Sequence, residues 1–87
     1  LGGDTFLQYY RGLIYNSLGD TQTAKRYFEK NLKEEPEFAS SYLELFAIYN
    51  TNDKPKAKEY FSLYRQQKTA DTLVVAFFER ENPYLKN

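Results

Sequence analysis

The sequence predicts an all-α chain: two helix–turn–helix units followed by one further helix. Three observations predict it. A block recurs, Ala24-Lys25-Arg26-Tyr27-Phe28 returning as Ala57-Lys58-Glu59-Tyr60-Phe61, with four of five positions identical at an offset of 33 residues. Around each block, apolar residues fall three and four apart, the spacing of one helix face. Between these stripes stand Gly, Asn, Asp and Pro, the residues that stop and start helices. A repeat of this length marks stacked two-element units.

The first helix carries the stripe Phe6, Tyr10, Leu13, Ile14 and Leu18. Gly19 then supplies the left-handed residue that ends a helix, and Asp20 caps the next one. The second helix sets Ala24, Tyr27, Phe28, Asn31 and Leu32 on one face. Lys30 and Lys33 lie near its C-terminus, where the helix dipole favours cations. Pro36 closes the unit and pushes residue 35 out of helical geometry.

The third helix repeats the first, with Tyr42, Leu45, Ile48 and Tyr49 on one face. Here the offset is 34, since Tyr15-Asn16 returns as Tyr49-Asn50. One residue is therefore deleted between Asn50 and Asn52, in a turn, where a deletion costs least. Asn52 is expected to take the left-handed turn conformation, with Asp53 capping and Pro55 in the first turn of the fourth helix. That helix sets Ala57, Tyr60, Phe61 and Tyr64 on one face. From Thr69 a further unit begins, with Asp71 or Thr69 as cap, a helix to about Glu81, and Asn82-Pro83 as its stop. Val74 to Phe78 also has strand composition. Helix is preferred, because a lone strand in a helical chain has nothing to pair with.

Composition excludes several functions. Twelve basic and twelve acidic residues balance, and they do so along the whole chain. No basic stripe exists to neutralise phosphates or an anionic bilayer, so nucleic-acid partners are not expected. The longest apolar run, Leu73 to Phe78, is far shorter than the ~20 residues of a membrane span. Cys and His are both absent. This removes the thiolate nucleophile, the usual base near neutral pH and the commonest metal ligands, so neither cofactor nor metal is expected. Ser40 and Ser41 have no His partner for nucleophilic attack. Glu34-Glu35 sits at a helix end rather than across a cleft, as paired catalytic carboxylates must. Asp4, Asp20, Asp53 and Asp71 all read as helix caps, and Gly2-Gly3 lacks any phosphate-loop context. No enzyme is expected.

Taken jointly, these places resemble the tetratricopeptide repeat (TPR) family, whose unit is two antiparallel helices of 34 residues. Gly12 matches the small residue of the first helix, Tyr15 its aromatic, and Gly19 the turn glycine. Ala24 matches the small residue of the second helix, Phe28 its aromatic, and Pro36 the closing proline. In the second copy Tyr42, Leu45, Tyr49, Ala57 and Phe61 stand at the matching places. Departures are Gln8 and Arg11, where large apolar residues are usual, and Phe46 and Tyr64, where small ones are. The resemblance implies a short right-handed α-solenoid of about five helices. Residues 1–87 then form one domain: repeat one over about 5–38, repeat two over 39–70, a capping helix over 71–82 and a tail over 83–87. The start at Leu1-Gly2-Gly3 and the lack of Met lead us to expect a fragment of a longer protein.

The resemblance further implies a non-enzymatic protein–protein interaction module that takes a peptide or helix on its concave face. The inner positions are Phe6, Tyr9, Leu13, Asn16 and Ser17 in copy one, and Leu43, Ala47, Asn50 and Thr51 in copy two. Leu73, Ala76 and Arg80 continue them. Asn16 and Asn50 occupy equivalent places and offer both donor and acceptor to a peptide backbone. One subclass of the family clamps a chaperone C-terminal carboxylate with Lys, Asn and Arg. Here Tyr9 and Leu13 stand at the first of those places and Glu44 replaces an Asn, so that clamp is not expected. The groove is instead apolar and aromatic.

The last helix supports an alternative. Leu73 and Phe77 need a cover beyond the fourth helix, since at least three units are usually required for stability. The chain would then be a structural segment of a longer array, or a homo-oligomer joined through its tail helix. No cellular address is legible; a cytoplasmic setting is slightly favoured over an extracytoplasmic one reached through a removed signal segment. The Asn-, Lys- and Tyr-rich composition points to a low-GC bacterial genome.

Overall fold

Each predicted helix forms. The computed structural model describes residues 2–86. It holds α1 (Gly2–Ser17), α2 (Thr21–Glu34), α3 (Ala39–Tyr49), α4 (Lys54–Arg65) and α5 (Thr72–Glu81), closed by a 3-10 turn over Pro83–Lys86. There is no strand among the described residues, and Val74–Phe78 is helical. Successive helices pack on one another: α1 on α2, α2 on α3, α3 on α4. The shortest dimension is 18 Å, about two helix diameters, so the molecule is two helices thick.

Local chemistry sets the boundaries. Gly19 has φ of 88°, a conformation that a side chain disfavours. Asp20, Asp53 and Asp71 cap α2, α4 and α5 through backbone N–H groups of Thr23, Lys56 and Leu73. Asp4 differs from expectation: α1 starts earlier, at Gly2, so Asp4 lies inside the first turn. Asn52 differs too. No residue other than Gly has positive φ among those described. The turn closes instead through Asp53 N–H on the Tyr49 carbonyl at 2.8 Å.

The recurring block builds two cores. Ala24 and Phe28 bury against Leu45, while Ala57 and Phe61 bury against Phe46 and Leu85. Gly12 lets α1 approach α2, for a Cβ there would stand 2.6 Å from the Phe28 ring. The repeat extends to ring geometry. Tyr15 stacks on Tyr27 at 5.6 Å and 10°, and their equivalents Tyr49 and Tyr60 stack at 5.7 Å and 14°. Both phenols of the second pair point to Glu29, at 3.5 and 3.3 Å. Burial and the Glu29 charge push the Tyr60 phenol well above its ordinary range. Phe46, a departure from the family pattern, fills its place between Phe61 and Phe78 at 5.1 and 5.3 Å.

Two further parts of the sequence reading change. The α1 stripe does not face the core: Phe6, Tyr10, Ile14 and Leu18 are about half exposed or more, as is Leu7. The side of α1 turned inward carries Thr5, Gly12, Leu13 and Tyr15 instead. Gln8 is half-buried, and its Oε1 has no hydrogen-bond partner. The second change is the tail. Up to Lys86 it is an ordered turn whose Leu85 is 1% exposed, so it completes the second core; Asn87 lies outside the described residues.

One polar group joins three helices. Asn31 is fully buried. Its Nδ2 donates to the Thr5 carbonyl of α1 at 2.8 Å, and its Oδ1 accepts from Ser41 Oγ of α3 at 2.6 Å. Asn31→Ala removes both bonds and leaves the buried Ser41 hydroxyl without this acceptor, at about 1–3 kcal/mol for such a loss, added to the packing lost with the amide. We expect Asn31→Ala to cost about 2–4 kcal/mol in urea unfolding, and a double-mutant cycle with Ser41→Ala to show coupling above about 0.5 kcal/mol. Strictly additive losses would mean that the Asn31–Ser41 bond contributes nothing.

Candidate functional site

The N-terminal parts of α1 and α3 bring several predicted residues together. Phe6 and Tyr9 both pack on Phe38, with ring centroids 5.3 and 5.2 Å apart. Phe6, Phe38, Ser40 and Leu43 line an open cleft of about 350 Å3, with Tyr64 and Thr69 on its far side. Leu43 is half-buried, its inner side on the second core. Further along, Asn16 and Ala47 line a smaller cleft of about 240 Å3 with Lys25 and Tyr49.

Other predicted residues are placed differently. Leu13 packs into the first core. Asn50 is committed within the chain: its Nδ2 donates to Asn82 Oδ1 at 3.0 Å, and its Oδ1 accepts from the Tyr84 hydroxyl. Lys54 Nζ also donates to the Asn50 carbonyl at 3.1 Å. Asn50 thus fastens the C-terminal turn and is not available to hold a peptide. Leu73 is 79% exposed and Phe77 about half exposed, both on α5, away from the cleft-lining set.

Tyr9 is half-buried rather than open. Besides Phe38 it meets Phe28 at 5.8 Å and Tyr10 at 5.7 Å. Its hydroxyl donates to Glu44 Oε2 at 3.4 Å. Burial, followed by the Glu44 charge, raises the Tyr9 phenol above its ordinary value. Burial also raises the Glu44 carboxyl, and the Tyr9 hydrogen bond offsets only part of this. Glu44 joins none of the ion pairs among the described residues.

The sequence reading missed Phe38 and Glu44 as site residues. Phe38 sits just before α3, outside any helical stripe. Glu44 was visible only as a departure from a family pattern.

Among the described residues, no group of three or more Asp or Glu side chains stands close enough to hold a metal ion. No helix among the described residues is long and apolar enough to cross a membrane. The chain matches no family model, no curated protein and no solved structure.

The Glu44 geometry has a pH consequence. A carboxyl whose folded pKa is raised stabilises the fold only while protonated, so its contribution is lost as pH rises through that value. Glu44→Gln should therefore stabilise the protein near pH 7, by less than about 1 kcal/mol because water still reaches the site. The advantage over the parent should vanish below the usual glutamate range, about pH 4. Thermal melts of both proteins across that range check this, and an advantage that grows on acidification would refute it.

Proposed function

We propose that this chain is a non-enzymatic protein–protein interaction module of TPR-like helical repeats, taking an apolar peptide or helix in the groove between α1 and α3. The observation that supports this reading is the open cleft walled by Phe6, Phe38 and Leu43. Its volume suits a few apolar side chains, and its walls are the aromatic type enriched in binding anchors. A blocked peptide, acetyl-Leu-Leu-norleucine-Phe-Leu-amide, tests it by NMR titration. Amide shifts should gather at Phe6, Phe38, Ser40 and Leu43. Phe6→Ser should weaken binding about tenfold or more while leaving the melting temperature nearly unchanged, since the ring is about half exposed and its loss removes an anchor. Shifts scattered over the surface, or none, would dismiss the groove.

A second reading rests on a different observation. Leu7, Tyr10, Ile14 and Leu18 follow one side of α1, and Leu73 and Phe77 one side of α5. Contiguous exposed apolar surface of this kind marks contact with another protein surface. The chain would self-associate, or stand within a longer array whose neighbouring units cover these faces. Light scattering over a hundred-fold concentration range separates the readings. A rising mass that Ile14→Lys returns to the 10.3 kDa monomer supports self-association through α1. A constant monomer mass excludes self-association and leaves the groove reading in place.

A further inference from the structure

We infer that the groove selects a peptide carrying a cationic side chain, best an arginine, seated against Glu44 and the Tyr9 ring. This deepens the groove reading and rests on it. Glu44 is half-buried, and its carboxylate offers about four acceptor sites. Among the described residues one of them is filled, by the Tyr9 hydroxyl at 3.4 Å, beyond the usual 2.5–3.0 Å range for such a bond. Among the described residues no Lys or Arg forms an ion pair with it. A carboxylate desolvated without a cation destabilises a fold, and at a surface groove a ligand can supply the missing charge.

The site is reachable and shaped for that ligand. On α3, Ser40 and Ala47 stand one turn to either side of Glu44, and both are exposed. Tyr9 packs on Phe38, ring centroids 5.2 Å apart, and the pair offers an aromatic surface beside the carboxylate. A planar guanidinium can lie on such a ring while donating to a carboxylate, which a lysine ammonium does less well. Glu37 adds a second carboxylate at the rim of the apolar cleft, although Lys68 shares its surroundings on the side away from Phe6. Charge complementarity thus names the occupant: an apolar segment with one basic residue.

The test pairs the norleucine peptide with its twin, acetyl-Leu-Leu-Arg-Phe-Leu-amide, against the intact chain and Glu44→Gln. We expect the arginine peptide to bind about tenfold more tightly, the gain of one hydrogen bond to a charged group, with amide shifts extending to Tyr9 and Glu44. Glu44→Gln, which keeps the shape, should erase the preference, and added salt should shrink it in the parent. Equal binding of both peptides overturns the cation site and leaves the groove reading intact. Binding of neither peptide overturns both. A preference that persists in Glu44→Gln also overturns the assignment, because the selecting charge would then lie elsewhere.

Discussion

The buried side chain of Asn31 is the joint on which the arrangement of helices depends. An amide at zero exposure must pair both its donor and its acceptor, or the fold loses a large part of its stability. Asn31 pairs with the backbone of α1 and the hydroxyl of Ser41 on α3. Apolar contacts tolerate sliding; two directed bonds to two different helices do not. The second copy answers with a different residue at the same repeat position. Tyr64 is buried, and its hydroxyl accepts from the backbone N–H of Asp71 at 2.9 Å. In each unit the second helix therefore reaches a polar atom into the start of the next helix.

Around these joints the aromatics divide the work. Phe28 and Phe61 fill the centres of the two cores. The Tyr15–Tyr27 and Tyr49–Tyr60 stacks close one side of each hairpin, and Tyr49 and Tyr60 touch both cores. The edges are less complete. The described part of α5 has no fully buried residue; it is held by Phe78, by the Arg65–Glu79 ion pair at 2.7 Å and by the turn that carries Leu85. The outer side of α1 carries Leu7, Ile14 and Leu18, each more than half exposed.

Much of the fold was legible in the sequence, because repeats and caps act locally. Ala24, Phe28, Ala57 and Phe61 are core residues as their spacing predicts, and Gly19, Asp20, Asp53 and Asp71 perform the turns and caps assigned to them. What depends on neighbours was not legible. Periodicity shows that α1 has an apolar face but not whether a helix covers it: Phe6, Tyr10 and Ile14 share the predicted stripe and are about half exposed. Asn50 carries the same chemistry whether its partner is a peptide or Asn82. Leu85 stands two residues after Pro83 and has no stripe to announce it. Glu44 reads as an ordinary helical glutamate until the rings around it are in place.

The order in which helices pack has a kinetic consequence. From α1 to α4 each helix packs on the next one along the chain, and α5 on the turn that follows it, so little of the structure waits on closing a long loop. Such local topologies fold in about microseconds to milliseconds. Either hairpin can nucleate first, because each owns its alanine–phenylalanine pair, and the rest can grow from it. Loss of order should proceed inward from the ends. The slowest amide exchange would then mark the α2–α3–α4 centre, where Tyr49 and Tyr60 bind one core to the other.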